Sequence, residues 1–242
     1  MDLIHRVRQL YESNRFLDAY ADVRDIWTGR AWVGAAGPEE LLWASRLAGR
    51  LGGGTLGRVL LRTAMLRFAD HPAVRVDGRW LFRRRRPLLG ILEEALACPA
   101  LGSGDAQLDA HWLVDAAFFW SLVRDFPRAH HLLDQAAADH GAADSWFHST
   151  RAQVLFCEDR WEEALQEARL SWEISPNKPA AGAVLVRVLL RLGRLDEAIE
   201  RLKVAADGQS FEMVQLLAWV LCAKAERSPR EARLALAAEA DR

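Results

Sequence analysis

Lysine is nearly missing from these 242 residues: only Lys178, Lys203 and Lys224 stand among 32 cationic side chains. Set against 33 Asp and Glu, they leave a formal net charge of -1. That balance excludes the strongly basic surplus of a general nucleic-acid binder and the acidic bias of a solvating tail. Cysteine is as scarce: Cys98, Cys157 and Cys222 are odd in number and far apart, which argues against a disulfide framework or a metal knuckle. Each lies in an apolar helical pattern and is expected as a small core residue. There is no run of about 18 uncharged apolar residues, so no membrane span is expected. The opening Met-Asp-Leu-Ile-His-Arg lacks the layout of a signal peptide, so a cytoplasmic chain is expected. Abundant alanine and arginine suggest a GC-rich bacterial genome as the source. What the chain has is apolar material, 51% of residues beside 27% charged ones, enough to build a core and exclude wholesale disorder.

That material is arranged for helices. Leu185, Val188, Leu189 and Leu192 show the recurring three- and four-residue spacing, and few stretches alternate as strands do. Glycine and proline breaks recur roughly every 15 to 20 residues, at Gly37-Pro38, Gly52-Gly53-Gly54, His71-Pro72, Gly141, Ser175-Pro176 and Gly193, so short helices joined by short turns are expected. A period is also present. Glu162-Glu163-Ala164-Leu165, Asp196-Glu197-Ala198-Ile199 and Arg230-Glu231-Ala232-Arg233 are versions of one tetrapeptide, and their alanines are 34 residues apart.

A 34-residue period with a small residue at a fixed place resembles the tetratricopeptide repeat (TPR), a helix-turn-helix unit. The fullest copy, Ser145 to Lys178, has Ala152 at the small site of its first helix, Trp161 at the aromatic place opening the second and expected in the core, Ala164 at the centre and Pro176 at the close. Pro179 to Glu212 follows with Gly193, Leu195, Ala198 and Ala205. Upstream, Ala110 to Ala143 fits with Ala117, Phe126, Ala129, Leu133 and Ala136, one residue out of step. From Met213, Ser228-Pro229-Arg230-Glu231 reads as a capping box with proline in the first helical turn. The resemblance implies an all-α, TPR-like right-handed solenoid of about seven antiparallel helix pairs in a single array. The pairs are expected near Met1 to Val33, Pro38 to Pro72, Ala73 to Gly104, Ala110 to Ala143, Ser145 to Lys178, Pro179 to Glu212 and Met213 to Arg242.

Residues 1–104 keep the pattern in degenerate form and 110–242 in regular form. Asn14 to Ala19 repeats the turn into a second helix. Leu41 to Leu51 and Thr55 to Phe68 pair about the triple glycine, with Leu60 where alanine is expected, which predicts looser packing there. In the third pair Gly78 takes the small site and Pro87 to Ala97 the second helix, although Val74-Arg-Val-Asp-Gly is poor helix sequence. Leu47-Ala-Gly-Arg-Leu-Gly, Leu60-Leu-Arg-Thr-Ala and an Arg-Arg-Pro-Leu turn also resemble the repeat region of bacterial TPR proteins associated with a C39-peptidase-like domain. That resemblance implies, as an alternative, an accessory or regulatory region of a larger enzyme.

Candidate chemistry is thin, so no enzyme is expected. His130, His131 and Asp134, or His111 with Asp115, have spacings at which metal is bound elsewhere. No His-Glu-x-x-His and no third fixed ligand accompanies them, and adjacent histidines point about 100° apart on a helix. Cys157 and His148 share one helix without a nucleophile elbow. Gly52-Gly53-Gly54-Thr55 lacks the Gly-Lys-Ser/Thr of a phosphate loop. No catalytic residue, cofactor or metal is therefore assigned. The run Arg83 to Arg86 beside Trp80 and Phe82 has the interleaving that binds single-stranded nucleic acid, but the charge balance argues against that role.

Function is thus expected on a surface. TPR proteins bind peptide or protein segments along a groove lined by positions 2, 5, 6, 9, 12 and 13 of each unit, on the first helix. By resemblance the partner groove here would comprise His111, Asp115 and Phe118, then Trp146, Ser149, Gln153 and Phe156, then Arg187 and Arg191, and Lys224. This set lacks the lysine and asparagine clamp of chaperone-binding TPR proteins. Its aromatic middle and cationic end imply a ligand with apolar anchors and acidic residues. Oligomeric state is not legible in the sequence.

Overall fold

The computed structural model describes residues 2–13, 15–82, 93, 96, 100–176, 178–206 and 211–226. Among them the regular structure is helical and no strand occurs. The all-α helix-pair architecture read from the periodicity is therefore the one observed. The chain divides into two compact units, residues 1–103 and 104–242.

In the C-terminal unit the helices are α7 (Ala106–Leu122), α8 (Phe126–His140), α9 (Ser145–Cys157), α10 (Trp161–Ile174), α11 (Pro179–Arg191), α12 (Leu195–Ala206) and α13 (Phe211–Glu226). Starts are set by side chains that satisfy otherwise orphaned amides. Asp105 accepts from the N–H groups of Gln107 and Leu108 at 2.9 and 3.2 Å, Asp125 from Arg128 at 3.2 Å, and Asp144 from Phe147 at 2.8 Å. The turns inside pairs share one geometry. Arg124 (φ 63°), Asp159 (φ 63°) and Gly193 (φ 74°) are left-handed. The next amide in each case donates back five residues, to the carbonyls of Trp120, Leu155 and Leu189 at 3.1, 3.0 and 2.9 Å. Glycine holds that conformation without strain; arginine and aspartate hold it against their Cβ.

The small residues do what the register requires. Ala117, Ala129, Ala136, Ala152, Ala164 and Ala198 are buried, so a methyl group is all that stands between neighbouring helices. First helices stack on first helices, α7 on α9, α9 on α11 and α11 on α13. One continuous core runs through α9 to α13, with Leu155, Leu165, Leu185, Leu189, Leu202 and Leu221 in it. Sharing a core between pairs is what makes a repeat stable, because no pair can bury both faces alone.

The N-terminal unit holds α1 (Leu3–Glu12), α2 (Phe16–Val23), α3 (Gly29–Ala35), α4 (Pro38–Arg50), α5 (Gly54–Arg67) and α6 (Pro72–Phe82). Three expectations are corrected here. The first pair does not run to Val33, because a separate short helix, α3, is inserted after α2. It is held by Trp27 stacked on Trp32, centroids 5.7 Å apart, and by Arg67, which donates to the Val33 carbonyl at 2.6 Å. The stretch Val74 to Gly78 is helical despite its composition. Val74 and Val76 are buried and Asp77 receives both arms of Arg46, at 2.8 and 2.7 Å, so tertiary contacts override propensity. The α4–α5 contact is not loosened by Leu60, because Gly57, one turn earlier, supplies the close approach. A Cβ on Gly57 would stand 2.7 Å from the Ser45 carbonyl oxygen, and Ser45 Oγ donates to the Gly57 carbonyl at 2.7 Å. Gly78 does take a small site as expected, with Met65 Cε 2.8 Å from where its Cβ would lie.

Two further readings change. Trp161 is only partly buried, its ring covered by Arg191, and Cys157 is half-buried while Cys222 is exposed, so these are not core residues. Arg83 to Arg86, Cys98, Ser228 to Arg242, and Pro87 to Ala97 apart from Glu93 and Leu96 lie outside the described residues.

Candidate functional site

The ten residues named from the sequence fall on α7, α9, α11 and α13, the first helices of their pairs. Between α7 and α9 three of them meet, and a fourth, His111, is held by the residue that caps α9. The Trp146 indole N–H donates to Asp115 Oδ1 at 2.9 Å, and its ring lies 6.3 Å from that of Phe118 at a 36° tilt. Asp115 itself is buried, so it fixes the indole from beneath. His111 Nε2 is 3.0 Å from Asp144 Oδ2. Between α9 and α11, Gln153 and Arg187 occupy the same register one period apart. The Arg187 guanidinium donates to Gln153 Oε1 and lies 6.0 Å from the Phe156 ring centroid. Gln153 is buried and its amide also reaches Cys157 Sγ at 2.9 Å.

Three residues are drawn elsewhere. Ser149 is buried and bonds Ser171 Oγ on α10 at 2.6 Å, inside its own pair. Arg191 stacks over Trp161 at 4.4 Å, and Lys224 Nζ is 2.6 Å from Asp196 Oδ1 on α12. Arg187 is exposed and forms no ion pair among the described residues. It is oriented by an amide and an aromatic ring, neither of which cancels its charge.

Carboxylates knit the pairs together around this face. Burial pushes the Asp144 carboxyl up, but the His111 and Phe147 hydrogen bonds and the His111 and Lys178 charges together hold it below its ordinary range. Glu158 is likewise held low: burial opposes, and bonds from His130 at 2.9 Å and Arg160 at 3.1 Å prevail. A carboxylate whose pKa falls on folding adds stability that is full above its unfolded pKa, about 4, and lost as pH drops through the folded value. Asp144→Asn keeps an amide acceptor for the helix start but no charge. It should therefore lower C-terminal-unit stability at neutral pH by the carboxylate's contribution and flatten the loss of stability as pH falls below about 4. Thermal melts followed by circular dichroism across that range provide the check, and an unaltered acid limb would mean that the carboxylate is not held low.

Histidines singled out for other chemistry are engaged structurally. His130 pairs with Glu158, and His148 Nδ1 lies 2.7 Å from Glu167 Oε2; His131 and Asp134 are exposed. No group of three or more His, Cys, Asp or Glu among the described residues could hold a metal ion. No helix among them is long and apolar enough to cross a membrane. The Gln153–Arg187 link was open to sequence reasoning, since equal register positions one period apart must meet on neighbouring first helices. The fixing of Trp146 by a buried carboxylate had no such signal.

Residues 155–220 match the family model of the tetratricopeptide repeat. No curated protein matches the chain by sequence. Among solved structures, the human IFIT1 dimer with PPP-AAAA is similar at 16% identity and a TM-score of 0.61, over 87% of this chain and 50% of that one. The chain thus spans about half the length of that structure. A tetratricopeptide repeat protein from Parabacteroides merdae is similar at 9% identity and a TM-score of 0.50, over 97% of this chain and 95% of that one. At these identities the likeness is one of fold.

Proposed function

We propose that this chain, which carries tetratricopeptide repeats over residues 155–220, is a non-enzymatic scaffold that holds a peptide or protein segment along the first helices of its C-terminal unit. The observation that carries this reading is Arg187, an exposed guanidinium aimed by Gln153 and Phe156 and paired with no described carboxylate. A cation oriented in advance and left without a counter-charge is suited to an acidic group brought by a ligand. Phe118, Trp146 and Phe156 offer partly buried aromatic surface for apolar anchors beside it, and rigid aromatics bind at low entropic cost. Asp115 and Gln153 act from below, fixing the indole and the guanidinium. Arg191 and Lys224 extend the positive end, with the ligand's acids competing for Lys224 against Asp196.

The segment expected is therefore short and extended or helical, with one or two aromatic or leucine anchors and an acidic stretch to one side. A displayed random-peptide library panned against the full chain should enrich such sequences. Arg187→Glu should then lose about 10- to 100-fold in affinity for the enriched peptide, equivalent to about 1.4 to 2.8 kcal/mol, with its circular dichroism unchanged. Trp146→Ala should lose the apolar anchor and spare the acidic preference. Enrichment without acidic residues, or full binding by Arg187→Glu, would overturn the assignment.

A further inference from the structure

Two second helices, one in each unit, expose apolar faces bordered by opposite charge. On α5, Leu56, Val59 and Leu66 are 56, 55 and 76% exposed. With Thr63 they follow the 3-4-3 spacing of a helix–helix seam, about 15 Å long. Single exposed leucines need no explanation, but a register of them with charge of one sign beside it does. Arg58 and Arg62 border the seam, and α5 contains no carboxylate. Among the described residues Arg58 reaches only the Thr55 hydroxyl, at 3.0 Å, and Arg62 forms no ion pair. On α10, Leu170 and Ile174 are 43 and 49% exposed, one turn apart. Glu162 and Glu173 lie on that same exposed side and pair with no described cation, while Glu163 is held by Arg160. Both helices are 14 residues long.

We infer that the occupant of the α5 face is a second copy of this chain, whose α10 lies along it. Leu170 and Ile174 of one molecule pack on the Leu56–Val59–Leu66 seam of the next, and Arg58 and Arg62 face Glu162 and Glu173. Helix α2 also exposes Leu17 and Tyr20, but Arg15 and Arg6 already hold its Asp18 and Asp22 at 2.8 and 2.7 Å. It therefore lacks the free carboxylates that complement α5. Because the contact joins two different patches it is heterologous, closing into a ring where the rotation between copies allows and otherwise continuing head to tail. It involves second helices only and leaves the first-helix face open, so its failure would not touch the proposed peptide binding.

The test is sedimentation equilibrium of the full chain from about 1 μM to 1 mM, the span in which a small charged interface is populated. The mean mass should climb above 27.2 kDa with concentration and fall back as salt is raised from about 0.05 to 0.5 M. Arg58→Glu/Arg62→Glu and Glu162→Arg/Glu173→Arg should each weaken association at least about tenfold, and mixing the two should restore it, since opposite charges again face each other. Leu66→Ser, at a site too exposed to disturb the fold, should weaken it similarly. A wild type that stays at 27.2 kDa throughout, or reversals that do not cross-rescue, would overturn the inference. Capture of a different acidic partner by α5 in place of self-association would do so too.

Discussion

Gly57→Ala is expected to destabilise the N-terminal unit by about 1 to 3 kcal/mol, although alanine is the better helix former by about 1 kcal/mol. The added methyl would stand 2.7 Å from the Ser45 carbonyl oxygen, a backbone atom in the middle of α4 that cannot swing aside. Separating the helices to admit it would stretch the bond from Ser45 Oγ to the Gly57 carbonyl and open the contact among Leu42, Leu60 and Leu61. Gly49→Ala is the control. Gly49 is in the same helix pair, but nothing lies within 4 Å of a Cβ there, so the propensity term acts alone and stability should rise by up to about 1 kcal/mol. Urea unfolding of both variants measures the pair of signs. Stabilisation by both would mean that α4 and α5 do not approach as closely as Gly57 implies.

Ala164→Leu and Ala198→Leu are expected to lower the stability of the C-terminal unit by about 1 to 3 kcal/mol each. Both alanines have essentially no accessible surface, and each sits where a second helix crosses its own partner and the next pair. Three extra carbons can be placed only by rotating neighbours such as Leu155 and Leu189 out of favourable rotamers. Leu60 shows that a leucine at the corresponding place is tolerable when a glycine one turn away takes over the close contact; α10 and α12 contain no glycine to do so. Unchanged melting of either variant would mean that the 34-residue register has been drawn at the wrong residues.

The regular repeats were legible because their constraint is local and recurs. A small residue every 34 positions, a capped start and a tight turn leave marks in the sequence, and Ala164, Ala198 and the Arg124, Asp159 and Gly193 turns obey them. What escaped was decided by contacts distant in sequence. Val74 to Gly78 became helical because Arg46, 31 residues earlier, secures Asp77. Helix α3 depends on two stacked tryptophans whose pairing has no period. Trp161 occupies the expected aromatic place, yet that place is a covered rim and not a core, which only the position of Arg191 reveals. In the candidate site, register predicted that Gln153 and Arg187 would be neighbours. It could not say that Ser149 would turn inward to Ser171 or that Lys224 would be met by Asp196, because both outcomes depend on second helices.

Asp144 has a consequence for how the molecule breathes. One carboxylate closes the amino end of α9 through the Phe147 amide and at the same time grips His111 on the preceding pair. The two bonds use different oxygens of one side chain, so fraying at the start of α9 that swings this side chain away also loosens the grip on His111. In a linear array a side chain shared in this way adds to the nearest-neighbour coupling between the two pairs. Amide exchange at Phe147 and along the turn of α7 that carries His111 would then rise together when the carboxylate is removed, as in Asp144→Asn.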